Sequence, residues 1–127
     1  MRTSFGHGGT TYVRRKGRNK YRNIKTEIDG ITFDSRKEAE YYSDLKMQEK
    51  AGLISELELQ PHFLLQDKFR YEGKTMRKIE YIADFKYIDE EGVTTVVDVK
   101  GQKTDVYKLK KKLFLAKYGE NIHFVEI

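Results

Sequence analysis

IEYIADFKYIDEEGVTTVVDVKG, residues Ile79 to Gly101, holds two runs of β-branched and aromatic side chains around Glu90-Glu91-Gly92. A three-residue loop ending in glycine suits a type I turn followed by a bulge, so the stretch reads as an antiparallel hairpin. The loop sets the register. With Asp89 facing Val93, counting outward places Asp84 opposite Asp98, with Lys100 two residues on and on the same face. Opposed carboxylates with Cβ atoms roughly 4.5–5.5 Å apart destabilise a sheet unless a positive charge lies between them. A divalent metal ion would supply that charge.

An ordinary solvated strand face fits the same pattern. Two features weigh against it. Ala83, Phe85 and Tyr87 with Val97 and Val99 already form one good core face. On the other face Ile82, Ile88 and Val96 surround the charges, so that face is expected to be partly buried, and buried carboxylates need a compensating cation or metal.

The chain has 127 residues, no cysteine and only three histidines, His7, His62 and His123. One domain is expected, with neither a disulfide framework nor a histidine-rich metal site. His62 is expected to be a surface or structural histidine. The absence of a long apolar run excludes a spanning helix, and the composition predicts a soluble cytoplasmic protein.

Charge is distributed unevenly. Through Lys25 there are eight basic residues and no acid, whereas the remaining 17 basic residues face all 20 acidic ones. Residues 1–23 therefore read as a basic, flexible arm ahead of a domain spanning 24–127. Within the arm, Arg14, Arg15, Lys16, Arg18, Lys20 and Arg22 suit phosphate, and the interleaved Tyr12 and Tyr21 suit base stacking. A merely solubilising tail is the alternative.

Asp29-Gly30 between Ile28 and Ile31 signals a two-residue hairpin. Ser35 followed by Glu38 makes a capping box opening a helix over Ser35 to Lys50 with Gly52 as its stop, and one reading of Glu38 is that its carboxylate simply reaches back to the Ser35 amide. Glu38 shares a stripe with Tyr42 and Leu45 and so points toward the packed side, while Glu40 faces water. Residues 55–66, SELELQPHFLLQ, read as a strand bent or interrupted at Pro61, with the Gln60-Pro61-His62 step at an edge or bulge. DKFRYEGKTMRK, residues 67–78, reads as a polar connector with five basic residues and forms a candidate second contact surface. Thr104 to Tyr118 predicts a second helix whose apolar stripe is Val106, Leu109, Leu113 and Ala116, and Asn121 to Ile127 a last strand.

Glu on a first helix, Asp late in one strand, Asp-X-Lys in the next, then a helix and a strand: this order resembles the PD-(D/E)XK nuclease superfamily. FDSRKEAEYY, LQPHF, YIADFKY and VVDVKG fall in the order seen in a family of small phage and prophage proteins of unassigned function within it. The resemblance covers Ile24 to Ile127. It departs at Ala83, where the superfamily carries a signature proline. The implied fold is α/β in the broad sense, an α+β restriction-endonuclease-like core of order αβββαβ, its mixed sheet flanked by helices, preceded here by a hairpin.

The resemblance implies Asp84 and Asp98 as metal carboxylates, the Val99 carbonyl as a further ligand, Glu38 as the helix-borne acid and Lys100 as the catalytic lysine. Hard oxygen ligands suit Mg²⁺ or Mn²⁺. Tyr107, Lys108 and Lys111 become candidate DNA contacts, and Gln60 a weaker site candidate. The implied activity is metal-dependent endonucleolytic hydrolysis of DNA, with branched or recombination intermediates as a substrate class. It would act in a host cytoplasm if the chain is phage-encoded, with DNA as partner and a homodimer left open. The alternative is a non-catalytic nucleic-acid-binding protein that keeps the fold; a structural phage protein has no positive feature in its favour.

Overall fold

Asp29 and Gly30 both adopt positive φ, 55° and 77°, as a type I′ turn requires. They join β1 (Thr26–Ile28) to β2 (Ile31–Phe33) in the expected two-residue hairpin. The computed structural model describes residues 24–99 and 103–127, so the basic arm lies outside the described residues. Next comes helix α1 (Arg36–Lys50). Its first turn is closed as anticipated, with the Ser35 hydroxyl accepting from the Glu38 amide at 3.1 Å.

The following strands form one long antiparallel hairpin. β3 (Ser55–Leu59), β4 (His62–Gln66) and β5 (Phe69–Tyr71) run outward, and β6 (Lys74–Met76), β7 (Ile79–Ile82) and β8 (Phe85–Ile88) return. β3 pairs with β8, β4 with β7 and β5 with β6. Glu72 and Gly73, at φ 47° and 78°, make the tip. The segment expected to be a polar connector is therefore a β-ribbon; its strand character was hidden because all of its residues are exposed, leaving no buried-face alternation to read.

The long hairpin is jointed. Gln60 has φ 50°, and Gln60-Pro61 faces Ala83-Asp84: the Gln60 amide donates to the Asp84 carbonyl at 2.9 Å and the Ala83 amide to the Pro61 carbonyl at 3.2 Å. Proline cannot extend a regular ladder, so the interruption expected at Pro61 is present, and it imposes a matching break on the partner strand. The stretch expected to run as one strand is thus β7 and β8, which belong to different sheets.

β9 (Thr94–Asp98) completes the inner hairpin in the expected register, with Phe85 opposite Val97 and the Asp89 amide donating to the Val93 carbonyl at 2.9 Å. Helix α2 (Asp105–Tyr118) and a 3₁₀ turn (Gly119–Asn121) lead into β10 (Ile122–Glu126), which lies parallel to β9. The main sheet has the order β10-β9-β8-β3 and is mixed. Its faces carry separate cores. Phe85 and Val97 pack with Phe33, Ala39, Tyr42 and Leu45 of the β1–α1 side; Val96 packs with Tyr81, Ala83, Tyr107 and Phe114. Because Val96 and Val97 point to opposite faces, α1 and α2 cover the sheet from opposite sides. The fold is α+β.

Two expected faces are corrected. Ala83 belongs to the α2 side and not to the face of Phe85 and Val97, because the break at Asp84 resets the alternation. In α2 the buried residues are Tyr107 and Phe114, while Val106, Leu109 and Leu113 are 62%, 58% and 43% exposed. Aromatic side chains bury the larger area, and Phe114 gathers Phe63, Tyr81, Tyr118 and Phe124 around it with ring centroids 4.7–5.8 Å away. No helix among the described residues is long and apolar enough to cross a membrane.

Candidate active site

Asp84 sits at the joint. Its amide donates to the Val97 carbonyl at 3.0 Å, and its Oδ2 accepts the Val99 amide at 2.6 Å, so the side chain folds across the end of β9. Glu38, one turn into α1, is only 5% exposed and reaches the same place. Burial, and next the charge of Asp84, push the Glu38 carboxyl up to about 8 from its ordinary 4.5. Near neutral pH the Glu38 carboxyl therefore keeps its proton and is hydrogen-bonded to Asp84. The capping bond to Ser35 uses the Glu38 backbone amide and leaves its carboxyl for this pairing.

Asp98 is held differently. It is 1% exposed and lies with Val96 on the α2 side, where the Tyr81 hydroxyl donates to its Oδ2. Burial, then this carboxylate, raise the Tyr81 phenol far above its usual range, so Tyr81 stays a donor at every accessible pH. Tyr107, 8% exposed, donates to Glu126 Oε2, and Glu126 Oε1 receives Lys111 Nζ at 3.1 Å and Lys103 Nζ at 3.4 Å. The Tyr107 hydrogen bond, aided by the lysines, holds the Glu126 carboxyl down at about 2 despite its partial burial. Glu126 is paired in register with Asp98 across the parallel strands. A chain of polar groups thus runs from Asp98 through Tyr81 and Tyr107 to Glu126.

The structure accordingly brings Glu38, Asp84 and Val99 together and sets Asp98 beside them in a tyrosine-capped niche. Asp84 accepts from the Val99 amide and Asp98 from the Tyr81 hydroxyl, and both carboxylates lie close enough to Tyr81 to act on its phenol. Lys100 and the arm residues Arg14, Arg15, Lys16, Arg18, Lys20 and Arg22 lie outside the described residues. Gln60 touches the site through its backbone, at the Asp84 carbonyl. Lys108 is exposed on α2, Tyr107 is buried against Glu126, and Lys111 is ion-paired there. His62 is on the surface, 3.2 Å from Glu80 Oε1.

Tyr81 and Glu126 were missed in sequence. Tyr81 stands two residues before Ala83 on the strand, and its alternation with Ala83 was the available signal; Glu126 was visible only as a lone acid between Val125 and Ile127.

Among the described residues no three Asp, Glu or His side chains converge into a metal-holding group. Glu38 and Asp84 do converge, and two carboxyls that must otherwise retain a proton suit a hard cation that keeps several waters. The pair fits such an ion as a partial ligand set.

The fold and this joint define an α+β protein with a hydrogen-bonded acidic pair where a long strand leaves its sheet. A family model described as "Protein of unknown function (DUF1064)" matches residues 18–126, and the chain belongs to that family. No curated protein and no solved structure matches the chain.

Proposed function

We propose that the protein is a metal-dependent endodeoxyribonuclease of the PD-(D/E)XK superfamily, with branched or recombination DNA as its substrate class. One observation carries the proposal. Glu38 from α1 is buried against Asp84 at the strand joint, an arrangement that costs stability and that a bound cation would offset. The order α1, β3, β8, β9, α2, β10 supports the same core.

Glu38 and Asp84 would hold Mg²⁺ or Mn²⁺, with Asp98 and the Val99 carbonyl as the further ligands the resemblance implies. Such an ion, when bound, lowers the pKa of a coordinated water and polarises the phosphoryl oxygen. The residues' own contributions are positional. The Val99 amide fixes Asp84 Oδ2, the α1 cap fixes the first turn that carries Glu38, and Tyr81 fixes the rotamer of Asp98. Lys100 is assigned to orient the attacking water or to stabilise charge developing on the phosphorane. Arginine and lysine of the arm, with Lys108, contact the DNA backbone.

A second reading, a non-catalytic nucleic-acid-binding protein, is favoured by the buried, tyrosine-bonded state of Asp98. Incubation with plasmid, linear and four-way-junction DNA in Mg²⁺, Mn²⁺ or EDTA separates the two. Metal-dependent nicks that vanish in Asp84→Asn support the nuclease. Binding to DNA without any cleavage in either metal supports the alternative.

A further inference from the structure

The β5–β6 ribbon pairs with no other strand among the described residues. In its register Phe69 faces Met76 and Tyr71 faces Lys74, so these four side chains share one face; Arg70 and Thr75 share the other. Phe69, Tyr71 and Met76 are 45%, 59% and 40% exposed. Arg70 is spread over its own face, donating to Thr75 Oγ1 at 3.0 Å and to the Gly73 carbonyl at 2.7 Å. Lys68, Arg70, Lys74, Arg77 and Lys78 stand against only Asp67 and Glu72 in this segment.

An isolated two-stranded ribbon gains little from displaying two aromatic rings and a methionine to water. Rings on one face with Lys74 among them, and Lys68, Arg77 and Lys78 at the ribbon's base, match a single nucleic-acid strand, whose bases offer π-faces and whose phosphates offer charge. A duplex hides its base faces. We propose that this ribbon is a binding site for single-stranded nucleic acid, with Phe69 and Tyr71 as stacking platforms and Lys74 with Arg77 as phosphate contacts.

Its placement gives the site a use that rests on the nuclease reading. β6 and β7 run back to Asp84, so at about 3.3 Å per residue the ribbon face lies at most about 25–35 Å from the acidic pair. The ribbon would then hold an unpaired flank of a branched substrate while the duplex occupies the joint.

The test is equilibrium binding in EDTA, where cleavage plays no part, using labelled oligodeoxythymidylate and a duplex of equal length. The Phe69→Ala/Tyr71→Ala variant changes only exposed side chains outside both cores, and its melting temperature is expected to match the parent's. Its affinity for the single strand should fall about tenfold or more, with duplex affinity and salt slope unchanged, because stacking releases no counterions. Lys74→Ala/Arg77→Ala should instead flatten the salt slope. Single-strand affinity equal to the parent's, or an equal loss on both DNAs, overturns the proposal, as does a parent protein that does not bind the oligonucleotide. A ribbon-dependent affinity in a protein that cleaves nothing keeps the ribbon and removes the nuclease; cleavage with unaltered variant binding does the reverse.

Discussion

Replacing Glu38 with glutamine changes one atom type in the buried pair and leaves the helix cap alone, since Ser35 bonds the backbone amide of residue 38. In the parent chain the carboxyl binds its proton up to about 8 when folded, against an ordinary 4.5. The folded state therefore holds more protons than the unfolded state between those values. This favours folding fully below about 4.5, and the advantage is lost as pH rises through about 8. At about 1.36 kcal/mol per unit, complete ionisation costs the fold on the order of 4–5 kcal/mol. Glutamine never ionises and still donates to Asp84, so the Glu38→Gln variant should lack this slope. Urea unfolding from pH 5 to 9 in EDTA measures it directly: the variant should gain on the parent by a few kcal/mol toward pH 9. Adding Mg²⁺ or Mn²⁺ should restore the parent at pH 9, because a cation replaces the Glu38 proton, and should do less for the variant. Parallel stability curves for the two proteins across this range would refute the retained-proton argument, whatever the variant's activity.

The remaining expectations test other parts of the molecule. Asp98→Asn, which preserves side-chain volume, should abolish cleavage while DNA binding holds or tightens, as read by nicking and gel-shift assays; full activity would remove Asp98 from the site. Phe114→Ala should cost about 3–5 kcal/mol, whereas Leu109→Ala on the exposed stripe should cost well under 1 kcal/mol, so equal losses in urea melts would show that α2 packs on its other face. Glu126, held at about 2, contributes stability that is present above about 4.5 and lost as pH falls toward 2, so Glu126→Gln should flatten the acid limb followed by circular dichroism. Deleting residues 1–22 removes seven basic residues, and the log–log salt slope on duplex should flatten by about 0.9 for each phosphate the arm no longer neutralises, with melting temperature unchanged.

Local chemistry was legible wherever it acts within a few residues. The Asp29-Gly30 turn, the Ser35 cap and the register from Asp89 to Val93 all follow from side chains meeting their own neighbouring backbone. Glu38 was readable as facing inward because its stripe partners Tyr42 and Leu45 lie on one helical face, and they are buried at 3% and 1% exposure.

Other features depended on what lay across space. Apolar spacing chose Val106, Leu109 and Leu113 as the inner face of α2, but the cavity left by Phe63, Tyr81 and Phe124 accepted rings, and Tyr107 and Phe114 turned inward to fill it. Nothing within YIADF marks a strand break. Pro61 on the partner strand imposes it, and so decides that Asp84 meets Glu38 and the Val99 amide while Asp98 turns to Tyr81. The sequence by itself determined the first hairpin, the two helices, the inner register and the candidate acids, because turns, caps and alternation are set by contacts close along the chain. Only the tertiary structure decided which acids pair and which helix face is buried, because both depend on shapes contributed by residues distant in sequence.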